Sequence, residues 1–187
     1  MMKNTSPDGL LLHQEALLLA LNDEEGTPEF GVSYSFAMAG AILAELFLND
    51  RVTLIQPKKN KLLNPVNTAP LGDPVLDDAL ARIAAARRRA TPGTWVSKLA
   101  GSGKLKHAVA AGLVQRGILH ADEGKILLIF KRKIYPERDP GPERRLVARL
   151  RDAIFGESNN VDPRTIILLS LAHSTGLMKT VFEKKRL

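Results

Sequence analysis

Two stretches of the chain are apolar almost all the way round a helical wheel, and they set the fold class. Residues 10–21 are mostly Leu and Ala, strong helix formers, opening after Pro7-Asp8-Gly9 and stopping at Asn22-Asp23-Glu24-Glu25-Gly26. A helix with apolar positions on nearly every face has to be buried. Residues 33–48 have the same character, and Ala37, Ala39, Gly40, Ala41 and Ala44 let a second helix approach closely. The pair predicts two central helices.

The rest of the pattern predicts what surrounds them. Asp73-Pro74 supplies an N-cap and a first-turn proline for a helix over 74–89, with Arg87-Arg88-Arg89 at its C-terminus, where cations favour the dipole. Thr91-Pro92 opens a short helix carrying Trp95 and Leu99, and Gly101-Ser102-Gly103 breaks it. Leu105, Val109, Leu113 and Val114 mark an amphipathic helix ending at Arg116-Gly117. Further helices are expected over 143–155 (strongly basic), over 162–174 (apolar, opened by Asp162-Pro163) and over 177–187. Two hairpins complete the reading. One joins 52–55 to 61–63, and the other joins 118–120 to 125–130 around Ala121-Asp122-Glu123-Gly124 before running into Lys131-Arg132-Lys133. The expectation is one mostly α domain over residues 1–187: a central helix bundle ringed by amphipathic helices, with a protruding β-hairpin.

Composition narrows the chemistry. The 187 residues are 44% hydrophobic and 25% charged, ordinary for a globular chain and too few for two full domains. No cysteine is present, which excludes disulfides, thiol nucleophiles and thiolate zinc sites, and fits a reducing cytosol. The first nine residues lack the apolar run of a secretory signal, and no apolar stretch reaches the roughly 20 residues of a membrane span. The net charge of +7 is unevenly spread. Residues 1–80 hold 5 Lys and Arg against 11 Asp and Glu, a net −6, whereas residues 81–187 hold 22 against 9, a net +13. The second half attracts polyanions.

His13, His107, His120 and His173 fall in separate elements without metal-ligand spacing, and no nucleophile elbow, Walker or dinucleotide motif occurs. Asp77-Asp78 and Glu24-Glu25 read as helix-end and solvent charges, so no enzyme, cofactor or metal is expected. Gly101-Ser102-Gly103-Lys104 lacks the strand a P-loop needs and reads as a helix-to-helix turn, but free amides there, at the start of the Leu105 helix, suit an anion. Two binding classes compete for this basic surface. A helix followed by a two-stranded wing fits a nucleic-acid module of winged-helix type. Basic residues beside an apolar hairpin edge, Ile126-Leu127-Leu128-Ile129, fit a membrane surface, while the plainer reading of those four residues is a buried strand.

An ordered set of segments carries a more specific signal. These are residues 12–26 (LHQEALLLALNDEEG), 39–46 (AGAILAEL) followed by Arg51-Val52, 72–80 (GDPVLDDAL), 113–119 (LVQRGIL) and 162–173 (DPRTIILLSLAH). In this order the chain resembles the Golgi phosphoprotein 3 family, in its prokaryotic branch. The resemblance implies a non-enzymatic peripheral membrane protein; eukaryotic members recognise phosphatidylinositol 4-phosphate and bind cytosolic tails of glycosyltransferases. The family's head-group pocket uses a Trp, an Arg early in the second central helix, and two further Arg three apart. Phe30, Ala39, Gly103 and Lys106 stand at those places, with Lys104 beside the missing arginine. The resemblance therefore assigns anionic head-group binding to Phe30, Lys104 and Lys106. The basic charges Lys125, Lys131, Arg132 and Lys133 mark the hairpin as a membrane-facing or oligomer-forming surface. Lysine offers a point charge without arginine's bidentate fork, so selectivity for a 4-phosphate should be poor. The expected partners are an anionic phospholipid surface, cytosolic tails of membrane proteins and a second copy of the chain, with nucleic acid the alternative, and the expected location is cytoplasmic and peripheral to a membrane. The family also continues beyond the Asp162 helix with segments mostly absent after Leu187.

Overall fold

The computed structural model describes residues 6–28, 33–57, 59–126, 130–157 and 160–183, with backbone alone across 123–132 and at 180, 181 and 183. Among the described residues the order is α1 (Leu12–Ala20), α2 (Tyr34–Leu48), β1 (Val52–Ile55), β2 (Leu62–Pro65), α3 (Pro74–Ala84), α4 (Pro92–Ala100), α5 (Leu105–Gln115), β3 (Asp122–Ile126), β4 (Phe130–Ile134), α6 (Gly141–Phe155), α7 (Pro163–Thr175) and α8 (Met178–Glu183). The fold is mostly α, with two antiparallel two-stranded ribbons.

Every residue of α1 is buried, including His13, Gln14 and Glu15. The helix packs against α2 on one side, and α5, α6 and α7 cover its other faces. Burying a helix end demands partners for its first amides. Side chains supply them: Ser6 Oγ accepts from the Leu10 amide at 2.9 Å, Gln14 Oε1 from Leu11 at 3.1 Å, and Glu45 Oε1 from Leu12 at 2.7 Å. Glu45 sits on α2 with no exposed surface and pairs with Arg164 at the start of α7. A second ion pair, Glu15 with Arg149 of α6 at 2.9 Å, ties α6 to α1. Burial pushes the Glu15 carboxyl above the usual carboxylate range, against the pull of Arg149 and Arg164. Small residues on α2 admit the other helices: a side chain at Gly40 would come within 2.6 Å of Leu171 on α7.

The proline-opened helices start where the sequence places them. Asp73 accepts from the Val75 and Leu76 amides, Asp162 from Arg164 and Thr165, and Thr91 from Thr94. Gly117 and Gly176 close α5 and α7 with left-handed φ of 72° and 82°.

Two expectations are corrected. First, α3 ends at Ala84, so Arg87-Arg88-Arg89 are not a helix C-terminus. The Leu63 amide bonds to the Ala90 carbonyl at 2.8 Å, drawing this segment alongside β2, and Arg89 reaches Asn64 Oδ1 at 3.2 Å. Second, the later hairpin does not turn at residues 121–124. Those residues belong to β3 or its approach, and the register pairs Asp122 with Ile134 and Ile126 with Phe130. Residues 118–120 pair instead with the chain beyond β4, through the His120 amide to the Pro136 carbonyl at 2.9 Å and an isolated bridge between Leu119 and Glu137. Burial decides this register: Ile118, Leu119 and Tyr135 sit in the core and fix the base of the ribbon, leaving the more polar strands to extend from it. Of the apolar run 126–129, only the backbone of Ile126 lies within the described residues.

Candidate functional site

The chain around the start of α5 forms the boundary between two cavities. Gly101-Ser102-Gly103 leads out of α4, and no side chain caps α5 at Lys104 among the described residues. On one side lies a polar pocket of about 280 Å³, lined by Tyr34 and Ser35 from α2, by the glycine turn, and by Lys106 and His107. On the other lies a larger cleft of about 550 Å³ between α1, α3, α4 and α5.

Lys106 is only 7% exposed, so its position is set by packing rather than by solvent. Its ammonium lies 5.8 Å from the centre of the Tyr135 ring, a cation–π distance. The Tyr135 hydroxyl bonds to His107 Nδ1 at 2.7 Å, with the two rings tilted 51° and 5.7 Å apart. Burial raises the Tyr135 phenol above its ordinary value, which keeps it protonated as a hydrogen-bonding group. Tyr135 is held in turn by its amide, which donates to the Gly26 carbonyl at 2.9 Å. The pocket thus combines a packed lysine, a histidine, the hydroxyl residues Tyr34, Ser35 and Ser102, and the start of an uncapped helix, whose amides favour negative charge. Chemically it suits a phosphate or carboxylate.

The two lysines singled out from the sequence do not share this pocket. Lys106 lines it, but exposed Lys104 lines the larger cleft. Residues two apart on a helix face different directions, which accounts for the division. Gly103 lines the polar pocket and is exposed, whereas Ala39 is fully buried and offers no polar group. Phe30 lies outside the described residues. Lys125, Lys131, Arg132 and Lys133 all fall on the β3–β4 ribbon, where Lys125 is opposite Lys131, Gly124 opposite Arg132 and Glu123 opposite Lys133. Lys133 is exposed. This cationic strand is a separate feature from the pocket.

Tyr34, Ser35, His107 and Tyr135 were missed by reading the sequence. His107 and Tyr135 stand 28 positions apart and meet only through the hairpin base, so no local spacing announces them. One acidic grouping also forms by tertiary packing: Asp23, Glu137 and Glu143 bring carboxylate oxygens within 4.8 Å of one another. It sits where the Glu137 amide bonds to the Asp23 carbonyl, away from both cavities.

The model of one protein family, described as Golgi phosphoprotein 3 (GPP34), matches residues 12–187. The chain belongs to the Golgi phosphoprotein 3 family. A relative within reach of sequence comparison is vacuolar protein sorting-associated protein 74 of Eremothecium gossypii, 24% identical over 211 residues. That alignment takes in 96% of this chain and 63% of the relative, so the chain spans less than two thirds of that protein's length. The match covers every element from α1 to α8, and with them the whole polar pocket of this Golgi phosphoprotein 3 family member.

Proposed function

We propose that this chain is a non-enzymatic peripheral membrane protein that binds anionic phospholipid head groups in the polar pocket at the α4–α5 turn. The observation that carries the reading is Lys106: a lysine packed to 7% exposure that lines a polar cavity beside an uncapped helix start. The family's name places its members at the Golgi, and the curated relative is named for vacuolar protein sorting. Both fit work at a membrane surface and favour it over the winged-helix reading. No helix among the described residues is long and apolar enough to cross a membrane, so attachment through head groups is the consistent mode.

The net +13 of residues 81–187 supplies long-range attraction, which falls off over about 8–10 Å at physiological salt, while the pocket supplies the local contact. Gly103 stands where the family has an arginine, so recognition rests on one lysine and backbone amides, with little power to tell one anionic head group from another. The basic β3–β4 ribbon is proposed to lie against the same anionic surface or a second copy of the chain, and cytosolic tails of membrane proteins are the proposed protein clients.

Co-sedimentation with phosphatidylcholine vesicles, with and without phosphatidylserine or phosphatidylinositol 4-phosphate, tests the reading. Binding should require the anionic lipid, and Lys106→Met, which keeps the apolar stem against Tyr135, should weaken it about tenfold. Equal binding to neutral vesicles, or no effect of Lys106→Met, contradicts it. Tight binding to duplex DNA with a steep salt dependence would favour the nucleic-acid reading instead.

A further inference from the structure

The larger cleft is built differently from the head-group pocket and has its own unmet chemistry. Its buried surface comes from His13, Ile42, Leu99 and Val109, each no more than 2% exposed, with Val75 and Leu105 beside them. Its mouth carries exposed Ala108 and Ala111 of α5, with Arg82 and Lys104 nearby. A volume of about 550 Å³ falls within the range of small-molecule sites.

His13 is the anomaly. It has no exposed surface, it lies on a helix that is otherwise core, and neither ring nitrogen has a hydrogen-bond partner of good geometry. Asp73 is a charged neighbour, its Oδ1 3.5 Å from Nε2. Burial opposes ionisation of Asp73, but His13 and the Leu76 and Val75 amides outweigh it and hold that carboxyl below the usual range. Nε2 is thereby directed at a carboxylate, while Nδ1 has no protein group to meet. A buried polar atom without a partner is costly, and native proteins seldom leave one unmet. The wall beside it is mainly aliphatic, from Ile42, Leu99 and Val109, with Gln14, Asp73 and Ser102 as further polar groups of the cleft.

We propose that this cleft is a second binding site, for a small apolar molecule bearing a hydroxyl group that hydrogen-bonds His13. A hydroxyl both donates and accepts, so it satisfies the free ring nitrogen in either tautomer, and the rest of the ligand replaces water against the aliphatic wall. The two cavities share Ser102 and Leu105 at the start of α5, but Lys106 and His107 line only the other one.

The test is ligand-observed saturation-transfer NMR of the full chain with 4-propylphenol and with propylbenzene, which differ only in the hydroxyl. Both should bind saturably, the phenol several-fold more tightly, because the ligand pair reads the His13 bond without mutating a core helix. Ala108→Trp, at an exposed position on the mouth, should weaken both by at least tenfold with an unchanged circular dichroism spectrum, and Ala111→Trp serves if that variant does not fold. Lys106→Met should leave phenol binding unchanged while lowering vesicle binding, which separates this site from the head-group pocket. Absence of saturable binding, equal affinity for the two probes, or undiminished binding to the mouth variants overturns the proposal.

Discussion

Replacing Arg164 by methionine should be among the most damaging single changes in the molecule, and replacing its partner as well should repair much of the harm. Glu45 and Arg164 are both nearly or wholly inaccessible, and their pair joins α2 to α7 at the centre of the bundle. Arg164→Met leaves the Glu45 carboxylate buried with only the Leu12 amide and Asn49 near it. Breaking one side of such a pair costs about 3–5 kcal/mol. Glu45→Met leaves Arg164 with only the weaker pull of Glu15 and orphans the Leu12 amide, so it too should be strongly destabilising. The double variant has no stranded charge. Its remaining penalty is the Leu12 amide, about 1–3 kcal/mol for an unsatisfied buried donor. The native pair is itself incomplete, since Arg164 Nε has no partner, which makes apolar replacement of both residues better tolerated. Urea unfolding of the wild type, both single variants and the double, at constant m-value, gives the coupling energy. A loss below about 1 kcal/mol for Arg164→Met, or a double variant as unstable as the sum of the singles, refutes the reasoning.

Four other outcomes are expected. Gly26 has φ +61°, and an added Cβ would overlap the backbone of Tyr135 and Pro136, so Gly26→Ala should cost on the order of 3 kcal/mol in chemical denaturation and loosen the hairpin base. Glu15 has a raised folded-state pKa, so its contribution to stability is full below its unfolded value of 4.5 and is lost as pH rises through the folded value; Glu15→Gln should flatten stability against pH above 4.5. Asp73 and Asp162 have lowered values, so their contributions are present above 3.8 and disappear as pH falls below it, which acid titration of Asp73→Asn will reveal as a shallower decline. Gly103 is exposed with open space for a side chain, so Gly103→Arg should be tolerated and should tighten binding to anionic vesicles by about fivefold or more, through a charge-assisted bond at the pocket rim; unchanged vesicle affinity counts against the pocket.

What the sequence made legible was whatever local chemistry determines. Helices α1 and α2 announced themselves because an all-round apolar helix has nowhere to go but the core, and Asp73, Thr91 and Asp162 marked helix starts through capping that involves their immediate neighbours. Failures came where distant packing overruled local preference. Ala121-Asp122-Glu123-Gly124 reads as a turn, yet the burial of Leu119 and Tyr135 fixes the ribbon base and carries those residues into the approach and strand. Arg87-Arg88-Arg89 reads as the end of a helix, yet the bond between Leu63 and Ala90 ends the helix early. The site was half legible. Lys106 and the glycine turn could be found through the family's pattern, but Lys104 could not be assigned to a different cavity without the helix in place. Nor could any spacing bring Tyr34, His107 and Tyr135 to the same lysine.

The central claim is that an anionic head group occupies the pocket lined by Lys106. NMR titration of the isotopically labelled chain with a short-chain, soluble phosphatidylserine tests it most directly, by mapping amide shifts onto the fold. The account predicts saturable shifts concentrated at residues 101–107 and at Tyr34 and Ser35, lost in Lys106→Met. Shifts confined to the β3–β4 ribbon, spread evenly over the basic surface, or unchanged in Lys106→Met would contradict it.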